Sequence, residues 1–412
     1  MPNLHRILVE GTEEFEGSIS WAYLRGILSS PRFRHLKISV AVDLNHAATF
    51  TTELDFSLPP LTSLTLTIPD YKYHPRHDNV KAKLLSAFLP KLSLTLECLS
   101  ISLDVAPLQL IGTLQWPRLR ELTLQGDRRV SLDPEFASIA LSAGMPELRS
   151  FSILRAQRSK RRRHTLWPAE WTGGVPFSKL ERLEVSYPIP ADEIYSHLPD
   201  TLRRLSLRCW PRHYHHRYRY ERDAMRRLWW KSPILTASEL LTILRRCQAA
   251  PLEHLEIEYE VDDHDEALLR SLSELFPALR TLTVFRYRPK DHTGEIQVES
   301  IARALSNLLH LRVLRIHLDF PHAPHPLSPI ETWSCFAELD AFQAFLSIPA
   351  ETLARNLSSS LRFVCLFQRR MYENVWFPFR IIRDPSAGTR GSRSTVQKVL
   401  LDDAVLSIEG LR

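Results

Sequence analysis

A phrase of the form leucine-x-x-leucine-x-leucine, led by a hydrophobic residue and a proline, returns along this chain. It reads WPRLRELTL at 116–124, MPELRSFSI at 145–153, LPDTLRRLSL at 198–207 and FPALRTLTV at 276–284. One such unit is too small to bury its own apolar face, whereas stacked neighbours can share a core, so the phrase restricts the chain to a stacked-repeat architecture. Its last three positions alternate apolar, exposed, apolar, which is strand periodicity, and the first leucine stands at the turn entering the strand. The proline ahead cannot continue a helix and needs no ladder partner at a strand's first residue, so it marks the change from helix to strand.

Twelve registers follow this pattern, with middle residues Ile7, Leu36, Leu64, Leu99, Leu122, Phe151, Leu183, Leu205, Leu255, Leu282, Leu314 and Val364. Nine of the eleven gaps span 22–35 residues, enough for one helix and two loops. The two of 50 residues require an insertion or a degenerate repeat. Helical ends are written into several gaps. Asp133-Pro134 opens an apolar run closing at Gly144, and Thr236 with Glu239 has capping-box spacing ahead of Leu240, Leu241, Ile243 and Leu244. Asp78 to Phe88, Asp263 to Phe276, Ile296 to Leu309 and Thr332 to Leu346 read as further helices. Alternating strand and helix predict an α/β solenoid with a concave, mostly parallel β-sheet and helices on the convex side. The solenoid is expected over 1–381, with basic insertions at 155–164 and 211–231. A C-terminal loop and possible last strand are expected over 382–412, with 384–395 as mobile loop and the strand at Ala404 to Ile408.

With 412 residues, 44% of them hydrophobic and 24% charged, the chain has enough apolar surface for a long core, and its composition is not that of a disordered protein. No apolar run approaches the ~18 residues that span a bilayer, and MPNLHRILVEGTEEF lacks a signal peptide's apolar stretch, so no membrane partner and a cytoplasmic or nuclear location are expected. Five scattered cysteines with no CxxC pair argue against a disulfide framework or a zinc site. His213, His215 and His216 stand beside seven cations, which opposes a divalent metal. With no GxSxG, HExxH, P-loop or GxGxxG, neither a cofactor nor an enzyme is expected.

The hydrophobic-Pro-x-Leu phrases, SWAYLRGILSSPRFRHLKIS at 20–39 and the helix from Trp333 to Leu339-Asp340 carry a resemblance. The repeats resemble cytosolic leucine-rich repeats of the ribonuclease-inhibitor type. In detail they resemble the F-box-associated leucine-rich-repeat proteins of filamentous and mushroom-forming fungi. The resemblance implies a non-enzymatic scaffold serving as the substrate-recognition repeats of an SCF-type ubiquitin ligase, with a protein partner or ubiquitination substrate. No F-box is visible, because the repeat MPNLHRILV already occupies the first residues; the SCF adaptor is an expected partner only if an F-box lies upstream. The family's asparagine after each strand is absent. Pro69, Asp104, Asp127, Pro188 and Asp319 stand in its place, so the backbone groups at those bends need other partners and irregular curvature is expected.

Residues flanking the core positions of each strand face the concave side. They are small and neutral first (Ser63, Thr65, Thr67, Cys98, Ser100, Ser102, Thr123, Ser150, Ser152). They then become charged or aromatic: Arg182, Arg204, Arg208, Glu256, Glu258, Phe285, Arg315, His317 and Phe363. These read either as an ordinary solvated strand face or as a partner-binding groove, since arginines and aromatics favour interface hot spots. Two basic runs add a second candidate. RAQRSKRRR at 155–163 contributes six positive charges, including Arg158, Lys160, Arg161, Arg162 and Arg163. Pro211 to Lys231 contributes a net five, including Arg217, Arg219, Arg226 and Arg227. The chain's total is +6, so the remainder carries −5 and the positive charge is local. The two runs are expected as mobile, exposed loops. They read either as solvated insertions or as one basic patch for an acidic protein or, as the alternative function, for nucleic acid, with Tyr214, Tyr218, Tyr220, Trp229 and Trp230 interleaved.

Overall fold

A computed structural model of the chain describes residues 5–9, 18–39, 41–43, 58–67, 78–127, 141, 143–158, 163, 165–167, 171, 177–217, 219–248, 250–289, 294–324, 333–369, 374–383 and 394–398. They fall into two units. The first comprises Met1–Leu202, Cys209–Pro211 and Ala224–Ser232; the second comprises Arg203–Arg208, Arg212–Asp223 and Pro233–Arg412.

Every one of the twelve registers is a strand. In the first unit these are β1 (Arg6–Val9), β2 (His35–Ile38), β3 (Ser63–Leu66), β4 (Cys98–Ser102), β5 (Glu121–Gly126), β6 (Ser150–Arg155) and β7 (Arg182–Ser186). They pair in parallel and in chain order. The repeat's middle residues are mutual partners throughout, Ile7 with Leu36, Leu36 with Leu64, and so on to Phe151 with Leu183. The second unit holds β8 (Arg204–Arg208), β9 (His254–Glu260), β10 (Thr281–Tyr287), β11 (Val313–His317) and β12 (Phe363–Arg369), again parallel, with Leu205, Leu255, Leu282, Leu314 and Val364 in register. Because side chains alternate along a strand, this register sets all the leucines on one face. Leu122, Leu183, Leu205, Leu255 and Leu282 are 0–2% exposed.

That leucine face is covered by helices. The first unit contributes α1 (Trp21–Leu28), α2 (Asp78–Leu92) and α3 (Leu108–Thr113). The second contributes α4 (Ala237–Arg246), α5 (Asp265–Leu275), α6 (Val298–Leu305), α7 (Trp333–Phe345) and α8 (Ser347–Asn356). In α4 the capping box forms as its spacing predicts: Thr236 Oγ1 accepts from Glu239 N, and the Glu239 carboxylate accepts from Thr236 N. Leu240, Leu241, Ile243 and Leu244 of α4, Leu268, Leu269 and Leu272 of α5, and Ile301 and Leu305 of α6 are buried at the three-to-four spacing of one helix face. Among the described residues the second 50-residue gap holds two helices, α7 and α8, where most gaps were expected to hold one. The helix read from Asp133 to Gly144 lies largely outside the described residues, as does Ala404 to Ile408.

Two features depart from the sequence reading. The sheet of the second unit continues past β12 into β13 (Asn374–Arg383) and β14 (Ser394–Lys398), both antiparallel. The boundary read at 381 therefore cuts through a strand. The last two residues of the stretch read as a 384–395 loop belong to β14, and 384–393 lie outside the described residues. Pro378 disguises β13, where it sits opposite Cys365, and the described residues of β14 pair with Phe379–Arg383.

Two of the bends that lack asparagine are served by aspartate. Asp104 accepts from the Ser102 hydroxyl (2.7 Å) and from Asp127 N (3.1 Å), and Asp319 accepts from Arg288 N (2.9 Å). Gly126 is required beside Asp104. Its φ is +136°, and a Cβ there would stand 2.4 Å from the Asp104 carboxylate.

Candidate interaction surface

The strand face opposite the helices is where side chains from successive repeats line up, and the two units treat it differently. In the first unit, Thr65, Ser100, Thr123, Ser152 and Glu184 are register partners across β3 to β7. A second row runs Ser63, Cys98, Glu121, Ser150, Arg182. Thr65, Ser100, Thr123 and Glu184 are half-buried, Glu121 and Arg182 are exposed, and the Ser152 hydroxyl donates to Glu184 at 2.7 Å. Cys98 offers no thiolate, because burial, with Glu121 and Glu97 beside it, pushes its pKa up to about 11. Most of these side chains are short, and Thr65, Ser100 and Thr123 keep part of their surface in reach of solvent.

In the second unit the expected groove is filled by the protein itself. Glu258, Phe285 and His317 stand in register on β9, β10 and β11, and Phe367 follows on β12. Residues Arg212–Arg217 cross this row as a strap, with Tyr214–Arg217 forming one helical turn. Arg212 donates to Glu258 (3.1 Å) and to Glu256. His213 N donates to the other Glu258 oxygen at 2.8 Å, which the Tyr287 hydroxyl also reaches at 3.0 Å. The Arg212 guanidinium lies 4.5 Å from the Phe285 ring centre. Tyr214 stacks 5.5 Å from Phe367, and the Arg369 guanidinium lies over the Tyr214 ring, 4.6 Å from its centre. Arg217 pairs with Asp319 (2.9 Å) and Glu260 (3.7 Å), and donates to the Arg288 carbonyl. As a result the Glu258 side chain is 0% exposed and Phe285 is 4% exposed.

The electrostatics of the strap follow from burial and pairing. Burial alone would push the Glu256 carboxyl up. Arg212, Arg208 and the Ser206 hydroxyl outweigh it and hold the pKa down to about 2. Arg212 is raised for the reciprocal reason, with Glu256 and Glu258 overcoming its desolvation. Burial lowers His317, set edge-on to Tyr287 and Phe367, to about 4 against a weaker opposing pull from Asp319. Burial also lowers His216 to about 4, with His215 adding to the effect. Both histidines take a proton less readily in the folded chain than in the unfolded one. Their share of stability is therefore complete above about pH 6.5 and is lost as pH falls toward 4, about 2 kcal/mol for each partly buried ring. Glu256 stays ionised across that window. Urea unfolding midpoints should fall steeply between pH 6.5 and 4, and His317→Asn should flatten the profile; an unchanged slope would disprove the assignment.

The basic runs are corrected by the same contacts. Pro211 to Lys231 is not a mobile exposed loop: it contains helical Tyr214–Arg217 and Arg219–Arg227, and Pro211, His213, Tyr214, Met225 and Trp230 are buried. Of its interleaved aromatics Tyr214 and Trp230 pack inward and Trp229 is 67% exposed, while Tyr218 and the Tyr220 side chain lie outside the described residues. In the first unit, Trp210, Met225 and Trp230 pack on Leu154 and Ala156, and Trp230–Lys231 pairs antiparallel with Gln157–Arg158. Arg158 makes a bidentate pair with Asp127 (2.6–3.0 Å), whose carboxylate also accepts from the Trp230 indole at 2.9 Å. Arg163 donates to the Pro188 carbonyl at 3.4 Å. Arg226 and Arg227 are exposed; Lys160, Arg161, Arg162 and the Arg219 side chain lie outside the described residues.

Of the groove residues, Arg182 and Arg204 are exposed, and Arg208, Glu256, Arg315, His317 and Phe363 are partly buried. The structure brings Glu256, Glu258, Phe285 and His317 together, but beneath the strap. Sequence reasoning missed the strap, although Glu256, Glu258 and Glu260 alternate along β9 and so offered one face of carboxylates to a basic segment.

No family model and no curated protein sequence matches the chain. Among solved structures it is similar to the crystal structure of the leucine-rich repeat-containing protein LegL7 from Legionella pneumophila. The match has 10% identity and a TM-score of 0.34, and covers 88% of this chain and 90% of that chain. No described helix is long and apolar enough to cross a membrane.

Proposed function

We propose that the chain is a non-enzymatic protein-interaction scaffold that takes its partner on the strand face of the first unit. One observation carries this reading: Glu258 and Phe285 of the second unit are covered by the chain's own strap, whereas the row Thr65, Ser100, Thr123 and Glu184 remains in reach of solvent. The resemblance to F-box-associated repeats supports the finer reading, in which this face holds a substrate for an SCF-type ubiquitin ligase. Anion binding through the two basic runs is the weaker alternative, because Arg158, Arg212 and Arg217 are committed to internal carboxylates.

The test is Thr65→Arg with Thr123→Arg. Both sites are half-buried on the open face, so the melting midpoint should stay within about 3 °C of the parent. Recovery of the parent's partners from its native cells, quantified by mass spectrometry, should drop by about tenfold or more. Partners retained at the parent's level would remove the first-unit face from consideration.

A further inference from the structure

Trp229 is 67% exposed and holds its backbone at φ +60°, the left-handed region that a bulky residue enters only at a cost in free energy. It stands two residues past the end of the helix Arg219–Arg227, where glycine ordinarily turns a chain out of a helix without strain. The turn around it is fixed: Trp229 N donates to the Arg226 carbonyl at 2.9 Å, and Leu228 N to that of Ala224 at 3.3 Å. The next residue, Trp230, is buried, donates its indole N–H to Asp127 at 2.9 Å and is the antiparallel partner of Arg158. The neighbours are locked while the Trp229 indole stays mostly in water. Its place in the fold matters as well. Leu154 is the register partner of Gln125 and, by alternation, lies on the same face of β6 as Ser150 and Ser152. Since Trp210, Met225 and Trp230 pack on Leu154 and Ala156, this segment stands on the strand face of the first unit, at the end of β6 just past Ser152.

The geometry points to Trp229 as the anchor of that face, an indole that enters an apolar pocket of a folded protein partner, with one acceptor in the pocket for its N–H. The inference rests on the scaffold reading and names the kind of partner it takes: a protein with a slot for one large ring, lying along the first-unit strands. Glycine or asparagine would make the same turn with less strain, so the turn itself does not call for tryptophan. A tryptophan side chain offers about 150–250 Å² for burial together with one hydrogen-bond donor, and tryptophan is enriched among the residues that carry binding energy. Because the backbone around this one is already fixed, little freedom is lost on binding and more of that gain reaches affinity. Single-stranded nucleic acid fits less well. Its binders line up several rings for successive bases, whereas Trp230 and the Trp210 it packs against are buried.

The experiment takes the proteins that the parent chain recovers from its native cells and the Thr65→Arg, Thr123→Arg variant does not. Each is purified and titrated into the full chain as parent, Trp229→Gly and Trp229→Asn. Both substitutions should weaken binding by about tenfold or more, as loss of a hot-spot residue does. Asparagine tolerates left-handed backbone, so a loss shared by both variants belongs to the indole and not to the turn. In hydroxyl-radical footprinting, oxidation of Trp229 in the parent should slow once the partner is bound. Both variants should melt within about 3 °C of the parent, because a mostly exposed indole is not core. Weakening by less than about tenfold, unchanged oxidation of Trp229 in the complex, or a midpoint lowered by more than about 3 °C would each overturn the anchor and leave the strand-face reading standing. So would a twelve-nucleotide oligothymidylate that binds the parent more tightly than the partners do and is lost with Trp229. If no recovered protein depends on Thr65 and Thr123, the face and the anchor fall together.

Discussion

An aspartate in place of Leu255 is expected to leave the second unit unfolded at room temperature. Leu255 is 1% exposed on β9, in register between Leu205 of β8 and Leu282 of β10, so its face meets leucine on both sides and helices above. Losing the leucine costs about 2–5 kcal/mol, and burying a carboxylate with no partner costs several more, for a sum of about 5 kcal/mol or more. That is comparable to the whole stability of an ordinary domain. Leu255→Met, which conserves volume, should cost less than about 1.5 kcal/mol. Near-UV circular dichroism decides the matter: native ellipticity retained by Leu255→Asp would mean that this register is not the core it is taken to be.

Replacing Arg212 with alanine is expected to cost about 3–5 kcal/mol, because it strands the fully covered Glu258 carboxylate and the largely covered Glu256 in the protein interior. The penalty belongs to the orphaned charges more than to the loss of attraction. A second change should therefore recover part of it: Glu258→Gln added to Arg212→Met is expected to be more stable than Arg212→Met alone. If Glu258→Gln instead adds its own full cost, the two groups are energetically independent and the strap is held by its aromatic contacts.

The fold was far more legible than the surface. All twelve strands could be placed because alternation, the leading proline and the recurring leucines are local signals that agree with one another. The strap was not legible in the same way. Counting charge along the chain treats Arg212 and Arg217 as neighbours of other cations, whereas their partners are Glu256 and Glu258, 44 and 46 residues away, and Asp319, 102 residues away. Once those carboxylates are counted on the face they share, the basic run becomes the complement of the expected groove. Pro378 misled for another reason: proline has no N–H to give to a ladder, so a run that contains it reads as an edge or a break, yet this one stands within β13 opposite Cys365.

Repeat proteins held together only by nearest neighbours melt piecemeal, since each unit contributes its own term and one interface. The strap changes that in the second unit. Through Arg212, Tyr214 and Arg217 it touches side chains of β9, β10 and β12 and the bend after β11 at once. No single one of these repeats can open without exposing charges that belong to the others. The strap converts a stack with one-dimensional, local breathing into a block that opens as a whole, and confines independent repeat motion to elements it does not reach.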